Sequence, residues 1–218
     1  YGIARDLAAA GVGTLTPLEI PKVKESFESP VNVTLAFEDK FKDACPMFVG
    51  RYFKGVKNGE SPQWLKDKLS AIGLRPISTL VDITNYSTIA LNRPLHVFDA
   101  DKIKGHIHIR MAKNGEKMVA LDGKEYTLDE DMTVIADEHN AEALAGVMGG
   151  ERTGVSEDTV NVMLETAYFS PVRTAMTGRK LNLTSDARFR FERGVDPAFL
   201  EDGTEIASQL IHDLCGGE

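Results

Sequence analysis

The residues with most scope for chemistry lie between Arg75 and Asp101, where the chain reads RPISTLVDITNYSTIALNRPLHVFDAD. Ile77, Leu80, Val81, Ile83, Ile89 and Leu91 suit a buried helix, yet Asp82, Thr84, Asn85 and His96 stand among them. An acid, a hydroxyl, an amide and an imidazole taken out of water each need a partner. Such a set forms either a satisfied hydrogen-bond network in the core or the lining of a polar ligand pocket, and residue types alone leave both open.

Three other constellations raise the same choice. Glu165, in Val162-Met-Leu-Glu-Thr-Ala-Tyr-Phe169, reads as the end of a strand among mostly apolar neighbours. It is either an ordinary strand-end acid or a pocket acid; in an apolar pocket a carboxylate is a strong acceptor in want of a donor. Ala145-Gly-Val-Met-Gly-Gly150 is rich enough in glycine to let the backbone approach a ligand. It lacks the Lys-Ser/Thr of a P-loop and the spacing of a dinucleotide fingerprint, so a glycine turn required by the fold accounts for it equally well. From Thr177 to Pro197 five basic residues gather, Arg179, Lys180, Arg188, Arg190 and Arg193. They make either local ion pairs with Asp186, Glu192 and Asp196 or a small positive rim for an RNA end.

The elements that must position these residues can be read from the pattern. A helix over residues 2–10 ends at Gly11 and Gly13, and Thr14 to Ser29, with Pro17 and Pro21, reads as a connector. Residues 1–40 are therefore assigned to the tail of a preceding domain plus its connector, and 41–218 to one domain. MFVGRYFKGV (47–56) is aromatic and β-branched, which predicts a strand. Ser61-Pro62, Ser170-Pro171 and Asp196-Pro197 each predict a helix cap followed by a first helical residue. Short strands follow at HIHIRMA, KMVALDG, KEYTL, MTVIAD, EALAGVM and TVNVMLET, with a hairpin turn at Asp122-Gly123. The chain closes on a helix from about Pro197 to Leu214. Strands in series flanked by helices predict an α+β fold, with short-stranded mixed sheets packed in layers against those helices.

Bulk properties narrow the function classes. With 42% hydrophobic and 27% charged residues the composition is globular. Asp and Glu number 33 against 25 Lys and Arg, a net charge of -8, which disfavours broad nucleic-acid binding by this segment alone. The two cysteines, Cys45 and Cys215, are far apart and suggest neither a disulfide framework nor a zinc site. His106 and His108 alternate on one strand with no third ligand near, so no metal site is assigned. No apolar run approaches the ~18 residues of a membrane span, and a reducing cytoplasm fits best. The first residue is not Met, which suggests a piece of a longer protein.

Arg-Pro, Val-Asp-Ile-Thr-Asn-Tyr and Pro-Leu-His-Val-Phe-Asp-Ala-Asp, in that order, closely resemble the central module of the bacterial phenylalanyl-tRNA synthetase beta subunit. The resemblance covers nearly the whole chain, most clearly from Cys45 to Cys215. That module is the editing domain, which hydrolyses tRNA mischarged with tyrosine. The family's Thr-Asn pair and downstream His match Thr84, Asn85 and His96, and its Gly-x-Met-Gly-Gly loop matches Gly146 to Gly150. The acid that reads the tyrosine hydroxyl corresponds to Glu165, and a small residue lining the amino-acid pocket to Ala187. Where the family often has Thr-Asp-Ala-Ser, this chain has Ser185-Asp186-Ala187-Arg188; Ser185 keeps the hydroxyl, whereas Arg188 alters the rim.

The resemblance implies hydrolysis of the ester joining tyrosine to the 3' end of tRNA(Phe). A site shaped for phenylalanine rejects an added hydroxyl only weakly, so a second site that requires the hydroxyl clears the errors. No Ser-His-Asp set is evident in the sequence, so water is expected to attack. Glu165, Gly146, Gly149, Ala187 and Ser185 are expected to bind the amino acid, and His96, Thr84 and Asn85 to orient the ester or the water. No cofactor is expected in this segment; ATP and magnesium belong elsewhere in the full enzyme, whose alpha subunit would be the partner in an alpha2beta2 heterotetramer. The competing expectation is a non-catalytic scaffold of the same synthetase that contacts tRNA or the other subunit.

Overall fold

A computed structural model describes residues 1–218. Ten strands form three sheets: β1 (Val33–Leu35), β2 (Met47–Lys54), β3 (His96–Asp99), β4 (Ile107–Met111), β5 (Lys117–Val119), β6 (Glu125–Thr127), β7 (Thr133–Ala136), β8 (Ala141–Leu144), β9 (Met148–Gly149) and β10 (Asn161–Tyr168). The helices are α1 (Gly2–Ala9), α2 (Gln63–Ala71), α3 (Thr79–Ala90), α4 (Pro171–Lys180), α5 (Asp186–Phe191) and α6 (Leu200–Cys215). The predicted α+β class, with mixed sheets and flanking helices, is what the structure has.

The layering follows from strand periodicity. The three-stranded sheet runs β2-β10-β3, and β10 is antiparallel to both neighbours. Successive side chains of a strand point to opposite faces, so Val162 and Leu164 face one way and Met163 and Ala167 the other. The first pair packs on α2, α3 and α6 through Leu65, Leu69, Leu80, Ile83, Ala207 and Ile211. The second pair packs on Ile107, Ile109, Ile135 and Ala143 of the other large sheet. Each valine, leucine, isoleucine or methionine among them, fully buried, contributes roughly 1.5–3 kcal/mol. The second sheet has the order β1-β4-β7-β8-β9, parallel at β1-β4 and antiparallel elsewhere. Its outer face is covered by the β5-β6 hairpin, which turns at Asp122-Gly123 with Gly123 at φ +75°, and by Leu183 beyond α4.

The helix expected from the apolar stretch after Arg75 is α3, followed by the separate strand β3, but Ile77 lies before it and is exposed. Two other sequence expectations change. EALAGVM is not one strand but β8, a tight turn and β9. Ser61 does not cap α2: Pro62 holds that position and the Ser61 hydroxyl donates to Asp82 at 2.5 Å.

Asp82 is fully buried and also accepts from the Ile77 N–H at 2.9 Å, while Asn58 Oδ1 accepts from the Leu80 N–H at 3.2 Å. These contacts tie the start of α3 to the segment before α2, while the Ser78 hydroxyl at the cap position accepts from Asn58 Nδ2 at 3.3 Å and makes no capping bond to the helix. Asp82→Ala, which leaves the buried Ser61 hydroxyl unpaired and removes the acceptor of the Ile77 N–H, is expected to lower stability by about 2–3 kcal/mol. Urea unfolding measures this, and an unchanged midpoint would show that the network does not hold the helix.

Candidate functional site

Between the inner faces of the two large sheets lies a cavity of about 380 Å³, its mouth included. Its wall is mostly apolar, with Leu95, Ile135, Val147, Ala187 and Phe191 among the lining residues. Two ionisable side chains enter it, Glu165 and His96. They stand directly opposite each other across the β10-β3 ladder, so their side chains share one face. Glu165 is the fifth residue of the eight in β10 rather than its end, and as an odd-numbered residue it points with Met163 and Ala167 toward the second sheet.

The electrostatics of both groups are set by loss of water. Glu165 is 6% exposed and no protein group donates a hydrogen bond to it. Burial pushes its carboxyl from 4.5 to about 8, opposed by the positive charge of Arg93. At pH 7 it is therefore mostly neutral, able both to donate through O–H and to accept through C=O. Loss of water also brings His96 down from 6.5 to about 4, which leaves a neutral imidazole at pH 7. Its Nε2 is closed off from solvent and has no hydrogen-bond partner. The ring stands edge-on to Phe98 with centroids 4.5 Å apart.

The glycine loop is the steric complement of that imidazole. A Cβ at position 149 would come within 2.5 Å of His96 Cε1 and 2.8 Å of Nε2, so only glycine lets the two strands close there. Gly146 makes the turn into β9 at φ +71°, where a Cβ would also meet Phe169, Thr174 and Phe191 at 3.1–3.2 Å.

The other expected site residues are placed differently. Gly146, Gly149 and Ala187 line the cavity with Glu165 and His96, but Thr84, Asn85 and Ser185 do not. Thr84 gives its hydroxyl hydrogen to Val81 O in its own helix at 2.8 Å. It and the half-buried Asn85 ride on α3, which packs on the opposite face of the three-stranded sheet. Ser185 donates to Val147 O at 2.6 Å and accepts from the Arg188 N–H at 2.9 Å, so it caps α5 and pins the glycine turn to it. The polar stretch around α3 thus divides into a satisfied core network, Asp82 and Thr84, and a cavity residue, His96.

The basic run resolves toward ion pairs. Lys180 pairs with Asp129 at 2.5 Å, Arg188 with Glu192 at 3.0 Å, Arg190 with Asp186 at 3.0 Å and Arg193 with Glu192 at 2.8 Å. Asp196 pairs instead with Arg5 at 3.1 Å, and of the five basic residues only Arg179 has no such pair. Sequence reasoning missed Arg93, which is 1% exposed behind the cavity wall. Its signal was there: a cation in the apolar run Ile89-Ala-Leu-Asn-Arg-Pro-Leu, three residues before His96.

The family model described as the B3/4 domain matches residues 44–216. The chain belongs to the B3/4 domain family. The phenylalanine–tRNA ligase beta subunit of Paramagnetospirillum magneticum is 61% identical over 217 residues, which is 100% of this chain and 27% of that protein. That of Ruegeria pomeroyi is 56% identical over 217 residues, with the same two shares. A crystal structure of an N-terminal fragment of the phenylalanyl-tRNA synthetase beta-subunit from Pyrococcus horikoshii is 23% identical, with a TM-score of 0.46, over 82% of this chain and 56% of that one. The resemblance noted in the sequence is thus met, and this B3/4 domain spans about a quarter of the length of the curated relatives it matches. No helix in it is long and apolar enough to cross a membrane.

Two substitutions test the geometry of the B3/4 cavity. Gly149→Ala forces the His96 ring or the β8-β9 turn to shift and is expected to cost about 1–3 kcal/mol, read from the unfolding midpoint. Glu165→Gln tests the ionisation. The folded carboxyl keeps its proton up to about pH 8 and the unfolded one only to about 4.5, so Glu165 makes stability fall as pH rises between those values. His96 acts oppositely between about 4 and 6.5, which leaves Glu165 alone above pH 6.5. The melting temperature of Glu165→Gln relative to the parent is therefore expected to be higher at pH 8.5 than at pH 5 by at least ~2–4 °C, the equivalent of about 1 kcal/mol in a domain of this size. An equal difference at both pH values would place the ionisation outside this window.

Proposed function

We propose that this chain is the proofreading module of a phenylalanine–tRNA ligase, removing tyrosine esterified to the 3' end of tRNA(Phe). The observation that carries the reading is Glu165: a buried carboxyl with no protein donor, aimed into an apolar cavity opposite a neutral imidazole. A phenol entering that cavity satisfies the carboxyl, whereas a phenyl ring buries it unpaired. The unpaired group costs about 1–3 kcal/mol, and more when charged. This penalty rejects correctly charged phenylalanine, the ester that such a module has to leave intact.

Hydrolysis requires water to add to the ester carbonyl and the ribose oxygen to leave. His96, neutral and part of the cavity wall, orients the attacking water or the ester. With an imidazole so weakly basic, positioning outweighs proton abstraction, and a ribose hydroxyl of the tRNA itself completes the proton transfer. Gly146, Gly149 and Ala187 admit the amino acid because they present no bulk. In this reading Thr84, Asn85 and Ser185 support the site from their helices. The domain acts inside a larger cytoplasmic enzyme that holds the tRNA, the alpha subunit of an alpha2beta2 assembly, and the ATP- and magnesium-dependent synthetic site.

The test is deacylation of tyrosyl-tRNA(Phe) by the full ligase carrying this chain. Glu165→Ala is expected to slow hydrolysis by about 3–10-fold, the equivalent of about 0.5–1.5 kcal/mol for a hydrogen bond to a neutral carboxyl, and His96→Ala to slow it as well. Parental rates in both variants would leave a scaffold that contacts tRNA or the other subunit.

A further inference from the structure

Arg93 is an uncommon side chain to find behind such a wall. It is 1% exposed and has no ion pair; its Nη2 donates to Ala167 O at 3.0 Å, its Nη1 to Asp196 O at 3.4 Å, and its Nε is buried with no partner. A buried guanidinium held only by neutral carbonyls keeps much of its desolvation cost, so its charge calls for an account.

Strand register supplies one. The β3-β10 ladder ends with Glu165 opposite His96; continued two steps beyond that last pair, its register would set Ala167 against Pro94. Proline has no N–H to give, and it is the Arg93 side chain that donates to Ala167 O. Glu165 and Ala167 share the inner face two residues apart, which puts the guanidinium's anchor ~7 Å along the strand from Glu165. The same guanidinium lies 6.0 Å from the centroid of Phe191, a cavity residue. Its stem fills the space left by Gly203 of α6, where a Cβ would come within 2.9 Å of Arg93 Cγ.

The ionisable groups that face Glu165 are few. His96 comes from β3 and is neutral; Cys45 comes from the turn before β2, and burial pushes its thiol up, so it is neutral too. The α5 helix presents Ala187 and Phe191. Arg93 faces Asp196 as well as Glu165, but the Asp196 carboxylate is already engaged by the Ala198 N–H and Arg5. Arg93 is the one positive charge on the Glu165 side.

We propose that Arg93 is a positioning residue for Glu165: it closes the strand ladder at the cavity and supplies, from behind the wall, the positive charge against which the Glu165 carboxyl is set. Its consequence for substrate choice rests on the proofreading reading above; its effect on Glu165 does not. A cation so placed favours the ionised carboxyl and opposes the effect of burial.

Two variants separate charge from hydrogen bonding. Arg93→Gln keeps a donor for Ala167 O and removes the charge; Arg93→Lys keeps the charge and loses the planar fork. The Glu165 carboxyl is followed by carbon-13 NMR in this chain, its signal assigned by its loss in Glu165→Gln. Arg93→Gln is expected to raise the Glu165 midpoint by about one pH unit or more, and Arg93→Lys to leave it within about half a unit of the parent. In the full ligase, Arg93→Gln then raises KM for tyrosyl-tRNA(Phe) more than it lowers kcat, and Arg93→Lys restores the parental KM. A folded Arg93→Gln chain in which Glu165 titrates with the parent overturns the proposal. Should that variant not fold, an Arg93→Lys chain whose Glu165 midpoint climbs by about one unit overturns it equally. If Glu165→Gln hydrolyses the tyrosyl ester at the parental rate while the NMR shift is seen, the proofreading reading falls and the Arg93 assignment stands.

Discussion

A carboxyl group on the inner face of a strand buried from both sides is the constraint on which this structure turns. β10 is the middle strand of its sheet, covered by helices on one face and by a second sheet on the other. Six of its eight residues are buried. Alternation sends Val162 and Leu164 to the helices and Met163, Glu165 and Ala167 to the neighbouring sheet. A shift of one residue in register would put Glu165 among the leucines of the helical layer. The apolar packing of β10 therefore fixes where the acid points, and the cost of burying that acid is borne by the whole inter-sheet core.

The polar residues near the cavity sort by whether the fold has already used them. Asp82, Thr84 and Ser185 spend their hydrogen-bonding capacity on the start of α3, the body of α3 and the cap of α5. Glu165 and the Nε2 of His96 are left without protein partners. Buried polar groups are nearly always paired, so two unpaired groups facing each other in one cavity mark a place for a ligand with polar atoms of its own. Gly149 contributes by absence, since any side chain there would occupy the position of the imidazole.

Most of the fold was legible because its signals are local. The alternation in TVNVMLET, the Asp-Gly turn and the Ser-Pro and Asp-Pro helix starts at 170 and 196 each act within a few residues, and the structure places β10, the β5-β6 hairpin, α4 and the turn before α6 there. Ser61 misled because its hydroxyl was claimed by Asp82, twenty-one residues away in sequence, a competition no local pattern records. β3 was hidden because four residues after a proline carry little periodicity, and β1 because its three residues pair only with β4. In the site, Glu165 stood out as an acid among apolar neighbours, but its mid-strand position needed the partner strands. Arg93 escaped notice because its role depends on what lies across the sheet: Ala167 O on one side and Asp196 O on another.

In the proofreading reading, two groups that are both mostly neutral at pH 7 have to tell a phenol from a phenyl ring. Water is the competitor for any polar contact, and outside the cavity it solvates both the phenol and the carboxyl. Inside, the walls remove that competitor, so a hydroxyl finds in Glu165 an acceptor in either form and, when the carboxyl is protonated, a donor as well. A ring without the hydroxyl leaves the carboxyl with neither water nor partner, and the loss is larger when the group is ionised. The charge proposed for Arg93 opposes the effect of burial and raises the ionised share of the carboxyl, which makes that loss larger than a neutral acid alone would impose. In the proofreading reading, discrimination then comes less from attraction to the right substrate than from what the wrong one leaves unsatisfied, and an apolar wall is its precondition.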